Sequence, residues 1–364
     1  MNRFVIMPLP GYSYCNKNVK RVTSMKIDDY TIATLGSHSS LQILKGARDE
    51  GFKNIVVCEK GRSEPYRSFR VADEIIEVEK YVDILDQEEA LIKKNVILIP
   101  HGSFFQAFGL DGLQTMKILY FGNKSILSWE EDRNKQRIWL AKAGLTLPKI
   151  YKDPSDIDGP VIIKFFGAGG GKGFFLAHTA EEFKRKIKEH PGKRYVIQEY
   201  IVGAPLYIHY FYSPLTDELE LMSLDKRYET NVDSIGRIAA KDQMDLNIES
   251  SYNIMGNIPL VVRESLLPEI FKMGRRVVEA SKKLEPRGLF GPFCLETIVT
   301  PDLDFYVFEI SARIVAGCNP YTKGSPYTDL RYDEPMSTGR RIARELKNAI
   351  QTNQLDKVLT NGHN

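Results

Sequence analysis

The chain has 364 residues, a hydrophobic fraction of 43% and a formal net charge of +3, so it can form two or three globular domains and gives no electrostatic reason to expect a nucleic-acid partner. Its four cysteines lie far apart without a C-x-x-C pair, which argues against a zinc site or a disulfide framework and favours reduced thiols in the cytoplasm. No apolar run reaches the length of a membrane span and the N-terminus carries no clear export signal, so we expect no membrane partner.

Strands and helices alternate over the first third of the chain. The predicted elements are a strand at 31–35, a turn at 36–40, a helix at 41–50 and further strands at 54–58 and 96–100. This alternation is typical of a doubly wound α/β domain, in which ligands bind at the carboxyl ends of strands and at helix N-termini. His38 and Ser103 lie at two such ends. They are candidates for binding a small anionic substrate, although either side chain can equally serve as a helix cap.

Two helices are predicted in the middle of the chain. The first is amphipathic and runs from Glu130 to Gly144, where the glycine ends it. The second begins at Thr179, which forms a capping-box pattern with Glu182 three residues later, and runs to about Lys188.

A glycine-rich stretch between these helices is the most distinctive part of the sequence. The apolar run 161–165 carries Lys164, five glycines and Lys172 follow within 167–173, and residues 174–177 predict another strand. Glycines let backbone N–H groups approach an anion closely, and lysines beside them suit phosphate. We therefore predict a strand–loop–strand flap that closes over phosphates, with an ordinary glycine-rich hairpin as the alternative.

Two familiar phosphate-binding patterns do not fit this stretch. A P-loop requires G-x-x-x-x-G-K-[ST] before a helix, but Phe166 stands five positions before Gly171, and Gly173 follows Lys172. The dinucleotide fingerprint G-x-G-x-x-G finds no match either, and it also requires a following helix.

The next segment predicts a strand at 195–203 that breaks at Gly203, where an interrupted strand can offer backbone groups to a purine edge. Residues 206–240 are strand-rich, and a helix is predicted from about 266 to 284.

A hairpin near the end of the chain places two acids together. Strands are predicted at 293–299 and 305–310, and a turn centred on Asp302 and Leu303 sets Glu296 opposite Glu309. Like charges directly opposite destabilise a sheet, and a Mg²⁺ ion between the carboxylates removes that cost. The alternative is two solvated acids on an exposed face. Arg313 follows four residues after Glu309 and is close enough to join a phosphate site.

The lysine strand, the glycine flap, the hinge at Gln198 and Glu199 and the paired acids resemble the ATP-grasp superfamily. A more specific resemblance extends from about Asp29 to Thr360, to the archaeal formate-dependent synthetases that convert 5-aminoimidazole-4-carboxamide ribonucleotide (AICAR) to its formylated product (FAICAR) in purine biosynthesis. The strings that carry it lie at 36–47, 100–104, 209–214, 225–229, 256–259 and 291–295.

This resemblance implies an α/β protein with an ATP-grasp fold and an N-terminal doubly wound α/β domain. The expected segments are a substrate-binding domain at 1–125, a small lid domain with the glycine-rich flap at 126–204, and a C-terminal domain with the metal site at 205–364. It implies a ligase that converts AICAR, formate and ATP to FAICAR, ADP and phosphate through formyl phosphate. The implied cofactor besides ATP is Mg²⁺ or Mn²⁺, and the implied assembly is a homo-oligomer, with a hexamer as the candidate state.

The resemblance also implies roles for individual residues. The AICAR-binding positions are His38, Ser103 and Asn257, and the metal ligands are Glu296 and Glu309. The nucleotide-binding positions are Lys164, Gly169, Gly170, Gly171, Gln198, Glu199, Tyr200, Val202 and Glu229. Lys172 and Arg313 are the catalytic cations.

Three positions depart from the family pattern. Ser311 stands where many ATP-grasp enzymes have an asparagine metal ligand, and Ala204 follows Gly203 where a ribose-binding glutamate is common. Residues 315–319 read Val-Ala-Gly-Cys-Asn, where some members have Asp-Gly-Gly-Thr-Asn. Two alternatives therefore stay open: an ATP-grasp ligase that joins another acid and amine, and a non-catalytic nucleotide-binding protein.

Overall fold

The computed structural model describes residues 26–165, 173–229, 235–243 and 253–360, which form three β-sheets with surrounding helices. The first sheet contains β1 (Thr31–Leu35), β2 (Lys53–Glu59), β3 (Glu74–Val78), β4 (Val96–Leu98), β5 (Leu119–Phe121) and β15 (Leu359–Thr360). Its order is β15-β5-β4-β1-β2-β3, with β1 to β5 parallel and β15 antiparallel to β5. The strand order reverses between β1 and β4, so the loops that follow these two strands diverge and leave a crevice.

The helices of this part confirm the predicted alternation. They are α1 (Ser40–Asp49), α2 (Glu64–Phe69), α3 (Glu88–Lys93), α4 (Ser103–Thr115), α5 (Lys124–Glu131) and α6 (Arg133–Lys142). The single helix predicted from Glu130 to Gly144 is wrong, because Asp132 is extended and interrupts it. The Asp132 carboxylate accepts hydrogen bonds from the backbone N–H groups of Asn134 and Lys135, so it caps a new helix.

The second sheet is small and antiparallel. It contains β6 (Ile150–Tyr151), β7 (Val161–Phe165), β8 (Phe174–Ala177) and β9 (Tyr195–Glu199) in the order β6-β9-β7-β8, and helix α7 (Ala180–Lys186) follows β8. Thr179 caps this helix by accepting from the N–H of Glu182 at 3.2 Å. The predicted capping box is only half formed, because the Glu182 carboxylate accepts from the N–H of His178 instead of that of Thr179.

The third sheet has five antiparallel strands. They are β10 (Ala204–Ser213), β11 (Glu218–Glu229), β12 (Ile254–Pro259), β13 (Gly291–Val299) and β14 (Phe305–Ser311), in the order β12-β11-β10-β13-β14. The remaining helices are α8 (Ala240–Gln243), α9 (Leu267–Leu284), α10 (Pro326–Asp329) and α11 (Thr338–Gln351). The strand-rich prediction for 206–240 is therefore confirmed for two strands and is wrong for 235–240, where Ala240 begins a helix, while 230–234 lie outside the described residues.

Alternation along β10 explains how the third sheet separates its core from its open face. Leu206, Ile208 and Tyr210 belong to a hydrophobic core that includes α9 residues such as Val277. The hydroxyl of Tyr210 donates to the carbonyl of Ile270 at 2.8 Å and fixes that helix against the strand. The intervening side chains point to the opposite face.

The last helix joins the end of the chain to the first sheet. Helix α11 packs on α1 where glycines allow backbone contact: a Cβ on Gly46 would lie 2.3 Å from the nitrogen of Arg340, and one on Gly339 would lie 2.2 Å from the carbonyl oxygen of Gln42. Among the described helices, none combines the length and apolar character needed to cross a membrane.

Candidate active site

A cleft of about 960 Å³ lies between the three sheets. Every predicted site residue within the described ranges lines it; these are His38, Ser103, Lys164, Gln198, Glu199, Tyr200, Val202, Glu229, Asn257, Glu296, Glu309 and Arg313. The predicted flap residues Gly169, Gly170, Gly171 and Lys172 lie outside the described residues. The cleft thus gathers side chains that are separated by more than two hundred positions in the sequence.

The loops that follow β1 and β4 meet at one end of the cleft. Ser103, the first residue of α4, donates a hydrogen bond from its hydroxyl to Oγ of Ser37 at 2.8 Å. The ring of His38 lies 4.6 Å from the ring of His101, measured between centroids. A Cβ on Gly102 would be only 2.8 Å from Nε2 of His38, so the loop approaches this ring closely. The predicted substrate residues His38 and Ser103 therefore share one corner.

His101 is a buried residue that joins the loops after β1 and β4, and the sequence did not identify it. Its Nε2 donates to the carbonyl of Leu35 at 3.0 Å, and its Nδ1 accepts from the N–H of Ser103 at 3.3 Å. Burial, together with the neighbouring His38, lowers the pKa of His101 to about 3. Burial and the positive charge of Arg313 lower the pKa of His38 to about 4. Both rings are therefore neutral near pH 7, and His38 acts as a hydrogen-bonding group and not as a cation.

Arg313 reaches the same corner from the segment after β14. Its Nη2 lies 2.8 Å from Oε1 of Glu130, a residue of α5 that is only 7% exposed. Oε2 of Glu130 accepts from the backbone N–H of Ala312 at 2.9 Å. The buried carboxylate of Glu130 thus fixes both the guanidinium of Arg313 and the backbone beside it. A guanidinium in this position is suited to bind phosphoryl oxygens.

The predicted acidic pair is confirmed as a pair of sheet neighbours. Glu296 on β13 is in register with Glu309 on β14, but a bulge after Glu296 shifts the ladder so that Thr297 pairs with Val307. Burial raises the pKa of Glu296 to about 7, Arg227 opposes this shift, and Glu309 adds to it. Two neighbouring carboxylates, one of them buried, are the arrangement that a cation would stabilise.

Arg227 is a further residue that the sequence reasoning missed. Its Nη2 forms an ion pair with Oε1 of Glu296, and its guanidinium lies 4.0 Å from the centroid of the Tyr207 ring. Asp225, Arg227 and Glu229 occupy every second position of β11, and all three line the cleft. This two-residue period is the signal that could have identified Arg227.

The two carboxylates Glu296 and Glu309 suit a hard cation whose coordination shell is completed by other ligands. Within the described ranges, no group of three or more histidine, cysteine or acidic side chains is arranged to hold a metal. The protein therefore offers two carboxylates, Glu296 and Glu309. Mg²⁺ is commonly held by one or two carboxylates together with water and substrate phosphates, so these residues fit it.

Lys164 lies between the second and third sheets. Its Nζ is 3.4 Å from Oε1 of Gln198 and 5.4 Å from the centroid of the Phe308 ring. Burial lowers the pKa of Lys164, and the negative charges of Glu309 and Glu296 oppose that shift. The lysine is thus positioned beside the acidic pair, where phosphates bridged to a cation would lie.

The strand predicted at 195–203 ends earlier than expected, at Glu199, and its end lies on the same side of the cleft. Strand β9 ends at Glu199 and β10 begins at Ala204, so residues 200–203 line the cleft outside regular pairing. The Glu199 carboxylate accepts from the N–H of Lys149 at 2.8 Å. A Cβ on Gly203 would lie 2.4 Å from the carbonyl oxygen of Val299, so this residue has to be glycine. The N–H of Tyr200 donates to the carbonyl of Pro160 at 2.9 Å.

A hydrogen-bonded network that includes Asn257 lines the third wall of the cleft. Nδ2 of Asn257 donates to Asp225 at 2.7 Å, and Nε2 of His209 lies 2.6 Å from the other oxygen of this carboxylate. Although burial favours the neutral ring, nearby cysteines and the bond to Asp225 raise the pKa of His209 well above its usual value. His209 and Asp225 were missed, although polar residues alternating with apolar ones on β10 and β11 could have indicated them.

The segment 315–319, which departs from the family pattern, contributes both to the wall of the cleft and to the packing behind it. Val315 and Ala316 line it directly, and the substituted Cys318 is buried behind them. Asn319, which matches the pattern, accepts from the side-chain amide of Gln42 at 2.9 Å and ties this segment to α1.

Two protein-family models match the chain. One, described as a protein of unknown function (DUF1246), covers residues 32–151, and the other, described as a domain of unknown function (DUF1297), covers residues 177–360. Neither description assigns an activity.

Curated relatives align over nearly the whole chain. The 5-formaminoimidazole-4-carboxamide-1-(beta)-D-ribofuranosyl 5'-monophosphate synthetase of Pyrococcus abyssi is 54% identical over 337 residues, which cover 90% of this chain and 98% of that protein. The synthetase of the same name from Methanocaldococcus jannaschii is 48% identical over 345 residues, covering 92% and 96%.

Solved structures with similar folds agree with these relatives. The IMP biosynthesis protein PurP from Thermococcus kodakaraensis has a TM-score of 0.71 and 31% identity, covering 90% of this chain and 100% of that one. An ADP complex of N5-carboxyaminoimidazole ribonucleotide synthetase has a TM-score of 0.64 at 15% identity, covering 90% and 79%. At that identity the second likeness concerns the fold alone, which is the ATP-grasp fold.

Proposed function

Because the chain belongs to the family of 5-formaminoimidazole-4-carboxamide ribonucleotide synthetases, we propose that it is an ATP-dependent ligase that formylates AICAR with formate. The observation that carries this proposal is the convergence in one cleft of a neutral polar corner, an acidic pair and phosphate-directed cations. A non-catalytic nucleotide-binding protein would not need a second polar corner opposite the nucleotide side.

The proposed reaction has two steps. A formate oxygen attacks the γ-phosphorus of ATP, the bond to ADP breaks, and formyl phosphate forms. The 5-amino group of AICAR then attacks the formyl carbon, the carbon–oxygen bond to phosphate breaks, and the amine loses a proton. The products are FAICAR, ADP and phosphate. Phosphoryl transfer depends on positioning and charge neutralisation more than on covalent help from the protein.

Residues in different parts of the cleft are proposed to have different roles in this reaction. Lys164 and Arg313 neutralise phosphoryl charge from two sides of the cleft, and Lys172 on the predicted flap is proposed to do so from a third. His38, Ser103 and Asn257 bind AICAR, whereas Gln198, Glu199 and the segment 200–203 bind the nucleotide base. Glu296 and Glu309 would hold Mg²⁺ or Mn²⁺, which when bound supplies positive charge to the phosphates.

Three further expectations remain proposals: the domain limits, the assembly and the location. The division into three sheets supports the proposed domain limits at 125 and 204, with the adjustment that α11 packs on α1 and β15 pairs with β5. The assembly is proposed to be a homo-oligomer, with a hexamer as the candidate, and light scattering during gel filtration measures it. A cytoplasmic location follows from the class of pathway.

The decisive experiment measures ADP release by the purified protein with ATP, Mg²⁺ and AICAR, with and without formate. We expect release that requires both formate and AICAR for full turnover, and mass spectrometry should find the formylated ribonucleotide. Release that is independent of AICAR, or no turnover with all three substrates present, would contradict the proposal.

One observation favours a second candidate. Val315 and Ala316 give part of the cleft wall an apolar surface at the position where some relatives carry an aspartate and a glycine. This change would suit an ATP-grasp ligase that activates a different small acid. A panel of short carboxylic acids with AICAR, compared by ADP release, distinguishes the two, because the second candidate requires another acid to exceed formate.

A further inference from the structure

A buried chain of hydrogen bonds fixes the orientation of Asn257. Nδ2 of Asn257 donates to Oδ2 of Asp225 at 2.7 Å, and Nε2 of His209 donates to Oδ1 of the same carboxylate at 2.6 Å. We infer that Asp225 is a positioning residue that makes Asn257 present its amide oxygen to the ligand, so that the site selects a ribonucleotide with an N–H group at this point. The inference rests on the proposed function, because it concerns how AICAR is recognised.

The direction of the amide follows from hydrogen-bond chemistry. An ionised carboxylate accepts hydrogen bonds and donates none, whereas an asparagine side chain has one donor end and one acceptor end. Asn257 therefore has to turn its NH₂ group toward Asp225, and its oxygen is left for the cleft. Among the described residues none donates to this oxygen, and Asn257 lines the cleft.

The carboxylate itself has little freedom to rearrange. Asp225 and His209 are only 1% and 2% exposed. The backbone at Gly317 packs directly on them, because a Cβ there would lie 2.2 Å from Oδ1 of Asp225 and 2.5 Å from Nε2 of His209. A rotation of Asp225 would break two hydrogen bonds of a carboxylate that is almost fully buried, and this holds the orientation of Asn257 constant.

The base of AICAR carries two groups that can donate to an amide oxygen, the 5-amino group and the NH₂ of the 4-carboxamide. Both are N–H donors. A ligand with only an acceptor at the contacted position would place lone pairs against the oxygen of Asn257. Both acceptors would then give up their hydrogen bonds to water and gain none in return. Such an unmet acceptor weakens binding about 10- to 100-fold.

Two analogues with the same charge as AICAR separate the two sources of the N–H group. The 4-carbonitrile analogue lacks the amide N–H and keeps an acceptor, and the 5-deamino analogue lacks the amine. Calorimetric titration of the wild type with AICAR and each analogue gives the preference for the N–H group. We expect a preference of about 10- to 100-fold against one of the analogues.

Asp225→Asn then tests the positioning role. Asparagine at 225 can offer its own NH₂ group, so Asn257 can turn, and we expect the preference against that analogue to fall at least about tenfold while ATP binding is retained. Ser223→Ala is the matched control: Ser223 is buried on the same strand, its hydroxyl has no hydrogen-bond partner within the described residues, and its loss should leave the preference unchanged.

The outcomes distinguish a failure of this inference from a failure of the proposed function. Equal weakening of all three ligands by Asp225→Asn would give Asp225 a structural role only and overturn this inference, while the proposed function would stand. Failure of the wild type to bind AICAR would overturn both. If Asp225→Asn also loses ATP binding, Asn257→Ala, on the half-buried edge strand, is the second test. We expect Asn257→Ala to abolish the preference for AICAR over the analogue that lacks the N–H group. A retained preference would refute the inference.

Discussion

Glu130 and Arg313 form a buried ion pair, with 2.8 Å between Oε1 and Nη2, although they are separated by almost half of the chain. The second oxygen of Glu130 accepts from the N–H of Ala312. The same carboxylate therefore sets the position of the guanidinium and the path of the backbone that carries it.

Glu130→Gln should reduce turnover more than it reduces nucleotide binding. Glutamine keeps an oxygen for the N–H of Ala312 but loses the charge that orients Arg313, and misplacing a group by about 1 Å can cost up to about 100-fold in rate. We expect kcat for ADP release to fall about 10- to 100-fold, with little change in ATP binding. The exposed neighbour Glu131→Gln is the control, and equal activity of both variants would contradict the role of Glu130.

Glu309→Gln should abolish turnover while leaving the fold intact. The substitution removes one of two charged ligands for the divalent ion, so the remaining carboxylate of Glu296 binds the ion more weakly and leaves it poorly placed for the phosphates. ADP release measured across a Mg²⁺ titration checks this, with circular dichroism to establish folding. Asp302→Asn, in the exposed turn of the same hairpin, should behave as the wild type. Normal activity of a folded Glu309→Gln would refute the metal assignment.

His38→Ala should weaken AICAR binding much more than ATP binding. The ring lies at the corner formed after β1 and β4, whereas the nucleotide side of the cleft is built by the second sheet. Loss of one neutral hydrogen bond in a buried site costs about 1–3 kcal/mol, or about 5- to 150-fold in affinity. Calorimetry with each ligand measures the two effects, and an equal loss for both would show that His38 is not specific to AICAR.

The depressed pKa of His38 should make the protein less stable as the pH falls. The pKa of His38 is about 4 in the folded chain and about 6.5 in the unfolded chain. Below about pH 6.5 the unfolded state binds a proton that the folded state excludes, so the free energy of unfolding decreases toward pH 4 and is unaffected above pH 7.

Urea unfolding at a series of pH values checks this dependence. His38→Asn should make the decline between pH 6.5 and 4.5 shallower, by at most about 1.4 kcal/mol per pH unit. His178→Asn, at an exposed position, is the matched control and should keep the wild-type slope. A steeper decline in His38→Asn would mean that the sign of the effect is wrong.

Isotope transfer tests the order of the chemical steps. If formyl phosphate forms first, oxygen-18 from formate should appear in the released phosphate, because the bridging oxygen leaves with phosphorus when the amine attacks carbon. Direct phosphorylation of AICAR by ATP predicts unlabelled phosphate, unless formate displaces the phosphate later. Mass spectrometry of phosphate from complete turnover distinguishes the routes, and unlabelled phosphate beside labelled FAICAR would exclude the acyl-phosphate route.

Local patterns in the sequence were sufficient for most of the elements. The strand Thr31–Leu35 and the strands on either side of the glycine loop were predicted correctly, because hydrophobic runs bounded by glycines and small polar residues determine strands locally. Local patterns also supplied several site residues that line the cleft, such as Lys164, Glu296 and Glu309, and the resemblance added Asn257 and Glu229. Helix 130–144 failed because Asp132 competes for the backbone as a cap, and propensity alone does not decide such a competition.

Tertiary structure decided how these elements meet. Glu296 faces Glu309 only because a bulge leaves Phe308 out of the ladder; the simple register from Val299 and Phe305 would have set Glu296 opposite Phe308. No local signal connected Glu130 with Arg313, because their contact depends on how α5 packs beside β14. Sequence determines periodicity and chemistry along one strand or helix, whereas burial, ion pairing and register across elements arise only from packing, since these are properties of two segments together.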